Sequence, residues 1–275
     1  MLQRLGHDAQ RRSLRFGPTI RTESVGKKKE HDMAQSIASR VRRSFARNGV
    51  WGTIKLSLYN LAILAAGRAQ EHRYVHDRSF DLQYGVDTGG VVELDEMENP
   101  AGPLENAGRY EAIDPAWFDD LILKTGIKNV EEFQLLDVGS GKGRVLMLGA
   151  LAGFRNMIGV EIDEGLHSSA MSNMETFNKR VPHADFVLHN VDIRDFDIPL
   201  GPMLCFANNP VGQPLFQQFV TKIAESLSAH PRMFVFVYLH ANHTEAFSRR
   251  NWAEIDSGHV DDSNKHPYSI YSWTS

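Results

Sequence analysis

The stretch LLDVGSGKGRVLML, residues 135–148, constrains the fold of this chain more than any other. An apolar run closing on Asp137 and Val138 enters three glycines in five positions, Gly139, Gly141 and Gly143, and leaves as a second apolar run. Glycine takes positive φ without steric penalty, so the pattern predicts a sharp strand-to-helix turn whose backbone something else approaches closely. The same alternation continues on both sides. A helix starts at Pro115 behind Asp114, a residue suited to capping it, and strands are expected at 133–138, 156–162, 184–190, 202–207 and 232–239. Helices fall between them, from the turn to about Gly153, at 164–180, at 213–229 and briefly at 242–249. The stretches NWAEIDSGHV and YSIYSW, on either side of the turn-rich DDSNKHP, read as a closing hairpin. Repeated βα units with right-handed crossovers give a mostly parallel sheet with helices on both faces. In such sheets the ligand lies beyond the carboxyl ends of the strands.

Upstream the character changes. Residues 1–50 hold twelve Lys and Arg against four Asp and Glu, while the remainder of the chain holds 18 against 30. Residues 1–32 are expected to be a basic, flexible arm; an acidic partner or phosphates are the alternative reading of its charge. Residues 33–114 are expected to form a helical extension followed, from residue 80, by a cover loop rich in Gly, Asp, Glu and Pro. The catalytic domain is expected over 115–275. Within the extension, VWGTIKLSLYNLAILAAG (50–67) is interrupted by Thr53, Lys55, Ser57 and Asn60, too polar for a span. It reads as an amphipathic helix, with peripheral membrane contact as the alternative. No apolar signal core occurs in the first 30 residues, and a single cysteine, Cys205, excludes an intrachain disulfide or a cysteine-rich zinc site. A cytoplasmic location is expected. His240 and His243 stand three apart without an evident third ligand, so no metal is expected.

Three nucleotide-like ligands use loops of this kind. A triphosphate loop needs a glycine five residues before Gly141-Lys142 and Ser or Thr after the lysine; Leu136 and Gly143 stand there instead. A dinucleotide loop needs a third glycine where this chain has Arg144, and Asp137 would repel a pyrophosphate. S-adenosylmethionine carries no phosphate but does carry an ammonium and a sulfonium. Asp137 can attract its amino-acid end, and Gly139, Gly141 and Gly143 let the backbone run beside it. Glu161, ending the second strand in GVEID, can accept from both ribose hydroxyls. Asp192, in NVDIRDF after the third strand, can receive the adenine amino group, with Ile193 against the ring. Ordinary capping of strand ends is the alternative for the two acidic residues Asp137 and Glu161.

LLDVGSGKGR, IGVEID and HNVDIRDF, in that order and each at a strand end, resemble the class I S-adenosylmethionine-dependent methyltransferases over about residues 110–240. The resemblance implies a Rossmann-like α/β fold: a seven-stranded, mostly parallel sheet with helices on both faces and a C-terminal antiparallel hairpin. Ser140 and Ile162 join the expected cofactor contacts. The fourth strand runs into FANNPVGQPLF (206–216), where an Asn-Pro turn can offer an amide oxygen and a carbonyl to an amine; a plain turn is the alternative. Amino-methylating members carry an (Asp/Asn)-Pro-Pro-aromatic motif there. Val211 and Gly212 replace its last two residues, removing the partner on which a flipped base would stack, so DNA is not expected as a partner. The segment is also similar to the Asn-Asn-Phe element of non-SET histone-lysine methyltransferases. A group of uncharacterised bacterial methyltransferases with an Asn-Pro-Phe segment shares the YGVDTGG stretch found here at Tyr84–Gly90. Likeness to that group covers about residues 75–240. It implies that Asn208, Asn209 and Pro210 border the transferred methyl, that Asn208 also touches the cofactor, and that Tyr110 and Glu111 form a flap over it. The expected activity is methylation of nitrogen in a protein lysine or a small amine. Methylation of oxygen or RNA, or a cofactor-binding module without turnover, are the alternatives.

Overall fold

The computed structural model describes residues 75–92, 97, 109–182, 184–248 and 251–274. All belong to the compact unit running from residue 68 to residue 275. The expected basic arm, the helical extension over 33–72 with its apolar window, and residues 93–96 and 98–108 of the cover loop lie outside the described residues.

Seven strands form one sheet: β3 (Gln134–Val138), β4 (Asn156–Glu161), β5 (Asp185–Asn190), β6 (Met203–Asn208), β7 (Phe234–Leu239), β8 (Trp252–His259) and β9 (Pro267–Trp273). Their order is β5-β4-β3-β6-β7-β9-β8. The first five pair in parallel, and β9 runs antiparallel to both β7 and β8. This is the expected Rossmann-like arrangement. The chain leaves β3 for β4 and β5 on one side and returns to β6 on the other, so the crevice between β3 and β6 is the topological switch point.

Alternate residues of each strand feed opposite faces, as the period of two requires. Leu135, Leu204, Phe206 and Val237 pack with Phe118, Leu146 and Phe177, which come from α2 (Pro115–Lys124), α3 (Arg144–Ala152) and α4 (Glu164–Asn178). Leu136, Val138, Cys205 and Phe236 pack on the other face with Phe216, Val220 and Ile223 of α5 (Gln213–Ala229). Burial on both faces explains why the central strands read as unbroken apolar runs. Capping residues set the helix starts: Asp114 Oδ1 accepts from Ala116 N at 2.8 Å, with Pro115 as the first helical residue, and Asp163 Oδ1 accepts from Leu166 N at 2.7 Å.

The segment before Pro115 differs from the expected loop. Residues Val75–Tyr84 form a helix, α1, and β1 (Val91–Val92) pairs antiparallel with β2 (Tyr110–Glu111). The YGVDTGG stretch, from the last residue of α1 to the start of β1, is held by side chains of α1 and α4. Asn173 of α4 accepts from Asp87 N at 2.9 Å and returns a bond to Asp87 O at 2.8 Å, pairing with the loop as a strand would. Asp81 accepts from Thr88 N, Thr88 Oγ1 and Gly89 N. Among the described residues no helix is long and apolar enough to cross a membrane.

Candidate functional site

A cavity of about 280 Å³ opens at the carboxyl rim of the sheet over the switch point. Among the described residues, five carboxylate side chains line it: Glu111, Asp137, Glu161, Asp163 and Asp192. Three arginines also line it, and each has an acidic partner. Arg109 pairs with Glu111 at 2.9 Å, Arg144 with Asp81 at 3.3 Å and Arg194 with Asp192 at 2.6 Å.

Asp137 ends β3, and its register sets it between Gly159 of β4 and Phe206 of β6. It is 3% exposed, and among the described residues no donor reaches its carboxyl. Burial, and then the nearby Glu161 carboxylate, push its pKa well above the ordinary value. Glu161, ending β4, accepts from Gly141 N at 2.8 Å through Oε2 and from Asp163 N at 2.9 Å through Oε1. Burial raises its pKa, and these backbone donors moderate the rise. Glu161 lines the cavity, and its two oxygens have acceptor capacity beyond these bonds. Asp163, whose first oxygen caps α4, has a buried Oδ2 with no partner among the described residues.

Three glycines of the turn adopt positive φ, and each makes room for a particular neighbour. A Cβ on Gly139 would lie 2.7 Å from Pro210 Cβ, one on Gly141 would overlap the Tyr110 ring, and one on Gly143 would overlap Met174 Cε. The turn is thus clamped between the Asn-Pro segment, the β2 strand and α4. Gly141→Ala is expected to push Tyr110 off the turn and to destabilise the protein by about 1–3 kcal/mol, read by chemical denaturation. A stability within error of wild type would refute that packing.

Of the residues expected from sequence, Tyr110, Glu111, Asp137, Gly139, Ser140, Glu161, Ile162, Asp192, Ile193, Asn208 and Pro210 line the cavity. Gly141, Gly143 and Asn209 do not. Gly141 and Gly143 face protein side chains rather than the cavity. Asn209, at φ +43°, turns its Oδ1 to accept from Tyr238 OH at 3.3 Å, beneath the rim. Asp192 differs in its surroundings. It receives three bonds from Arg194, from the backbone N at 2.8 Å, Nε at 3.0 Å and Nη2 at 2.6 Å, and these lower its pKa. One acceptor direction remains on Oδ2. His240 and His243 do not converge: His240 contacts Asn208 and His266, and His243 lies 3.8 Å from Glu245.

Two residues of the site escape sequence reasoning. Asp163 gives no signal beyond helix capping. Arg144 stands where a dinucleotide loop needs its third glycine, and the sequence assigns it no role of its own. Its guanidinium carbon lies 4.7 Å from the centroid of the Phe80 ring, and the side chain is 2% exposed. Its Nε donates to Thr88 Oγ1, Nη1 to Ile113 O at 3.4 Å and Nη2 to Asp81. The arginine fastens the YGVDTGG stretch over the glycine turn, and Lys142 Nζ adds a bond to Gly89 O at 3.2 Å.

No protein-family model matches the chain, and no curated protein matches it. Solved structures do. One is magnesium protoporphyrin IX methyltransferase from Synechocystis PCC 6803 with bound SAM, at 11% identity and TM-score 0.43, covering 58% of this chain and 79% of that one. A second is a putative methylase from Haemophilus influenzae, at 13% identity and TM-score 0.45, covering 58% and 99%. A third is an S-adenosylmethionine-dependent methyltransferase from Clostridium acetobutylicum, at 11% identity and TM-score 0.44, covering 59% and 93%. Likeness this distant assigns no chemistry; the residues around the cavity have to do so.

Proposed function

We propose that the chain is a methyltransferase that uses S-adenosylmethionine to methylate a nitrogen of a protein lysine or small amine. The observation that carries this reading is Asp137, a buried carboxylate at the switch point with no donor among the described residues, beside a second buried carboxylate. Such a group calls for a cationic ligand, and a rim lined by five acids opposes the phosphates of a nucleotide triphosphate or dinucleotide. The cofactor's ammonium meets Asp137, its ribose hydroxyls meet Glu161, and its adenine lies between Ile162 and Ile193 with the amino group toward Asp192. Gly139 and Ser140 border it from the turn, and Gly141 and Gly143 shape that turn. Tyr110 and Glu111 cover it.

The chemistry asks little of side chains. The amine's lone pair attacks the methyl carbon, a C–N bond forms, the C–S bond breaks with its electrons going to sulfur, and the product ammonium releases its proton to water. Alignment and exclusion of water supply the rate. The amine must arrive neutral, and closeness to the sulfonium lowers its pKa in that direction. Asn208 and Pro210 border the methyl from the end of β6, while Asn209 supports that turn from below.

Incubating the full chain with methyl-labelled S-adenosylmethionine and a cell extract tests the proposal. Label in protein or amine fractions that falls about 100-fold in Asn208→Ala, well beyond any accompanying loss of cofactor affinity, is the expected result. Label confined to RNA or to ester-linked methyl would overturn the nitrogen assignment. Cofactor binding with no transfer to any fraction would favour a binding module.

A further inference from the structure

From Asn208 at the cavity wall, a chain of side chains that the proposed transfer does not otherwise use runs along the ends of β6 and β7. Asn208 Oδ1 is 2.6 Å from His240 Nδ1, His240 Nε2 is 2.6 Å from His266 Nδ1, and His266 Nε2 is 3.7 Å from Asp261 Oδ2. His266 is held in place by Trp117 of α2, with ring centroids 4.7 Å apart. His240 itself sits at φ +52°, a left-handed conformation that a non-glycine residue adopts at a cost in strain.

Donor and acceptor rules fix the protons along this chain. The other end of the Asn208 amide faces the Glu111 carbonyl at 3.4 Å, and a carbonyl only accepts, so the amide nitrogen is on that side. Its oxygen therefore faces His240, which must donate from Nδ1. Neutral His240 then presents a bare Nε2, which accepts from the Nδ1–H of His266. Burial and the neighbouring His266 lower the pKa of His240, which keeps this arrangement neutral at the His240 end. The charged and titratable groups facing His240 are His266, Glu111, Arg109 and Asp261, from the segment before β9, from β2, from the residue preceding it and from the β8–β9 turn.

We propose that His240 is a positioning residue: the 3.4 Å bond to Glu111 marks the orientation of the Asn208 amide but holds it weakly, and the imidazole pair anchored at Asp261, through its 2.6 Å contact, fixes which end of that amide faces an incoming amine. This rests on the reading of the cavity as a methyl-transfer site. With the oxygen held on the His240 side, its second lone pair is available to an amine N–H. A flipped amide would place an N–H there and oppose it. The effect falls on the acceptor and spares the cofactor.

Nitrogen NMR of the ligand-free full chain, with labelled histidines, tests the chain of bonds directly. His240 is expected to be protonated on Nδ1 and bare on Nε2. His266→Phe should leave it a mixture of tautomers, and His266→Gln, which restores a donor, should recover the single form. Wild-type His240 protonated on Nε2 would overturn the proposal. In the labelling reaction, His240→Phe should lower the transfer rate about tenfold or more with the KM for S-adenosylmethionine within twofold. An unchanged rate, or a loss shared equally by cofactor binding, would also overturn it. If the wild type transfers no methyl at all, the transfer reading fails, and the tautomer measurement still decides whether the imidazole chain exists.

Discussion

Asp137→Asn is expected to weaken S-adenosylmethionine binding by about 10- to 150-fold, the worth of one charge-assisted hydrogen bond. Calorimetric titration of the variant against wild type reads this directly. The asparagine keeps the shape and removes only the charge, so a fold defect does not confuse the result. Only the ionised carboxylate attracts the cofactor's ammonium. Its pKa is raised in the free protein by burial and by Glu161, so cofactor affinity should fall as the pH drops through that raised value, and the fall should vanish in the variant. Stability of the free protein should show the opposite sign. A carboxyl whose folded pKa is raised contributes stability below its ordinary value, and that contribution is lost as pH rises through the raised one. Denaturation of ligand-free protein should therefore show a gain for Asp137→Asn on the alkaline side of the transition. Equal cofactor affinity in both proteins at every pH would remove Asp137 from the site.

Arg144→Met should cost the fold about 3–5 kcal/mol, the usual result of deleting one partner of a buried ion pair. Methionine fills much of the stem's volume, so the loss comes from Asp81, Thr88 Oγ1 and the Ile113 carbonyl, all left without this donor. The YGVDTGG stretch should then lift from the glycine turn, and cleavage by limited proteolysis between residues 85 and 90 should speed up. Arg144→Lys should rescue little, since a single ammonium cannot spread along the three acceptors that the planar guanidinium reaches. A fully stable Arg144→Met protein with a protected loop would show that the clamp contributes nothing.

Much of this was legible in the sequence for a simple reason. A parallel strand buried on both faces reads as an apolar run, and FQLLDV, NMIGVEI and PMLCFA each located a strand to within one or two residues. The acids at their ends follow, because a strand end fixes where the rim lies. What sequence did not show is tertiary. The helix Val75–Tyr84 is polar over most of its length, and it is held by contacts to α4 and Arg144 that no local pattern announces. Nothing local marks Arg144 as a clamp, because its partners Asp81, Thr88 and Ile113 lie 31 to 63 residues earlier in the chain. The pairing of His240 with His266 joins residues 26 apart through the β8–β9 hairpin, and spacing alone suggested His243 instead. Asn209 seemed as suited to the site as Asn208. One residue of strand alternation, and a left-handed φ, send it to Tyr238.

The central claim is that the acidic rim takes a cationic, phosphate-free nucleoside. Titrating the full chain in parallel with S-adenosylmethionine, NAD and ATP measures it most directly. Saturable heat with S-adenosylmethionine and none with the other two is the predicted result. Binding of NAD or ATP with no response to S-adenosylmethionine would contradict the account at its root.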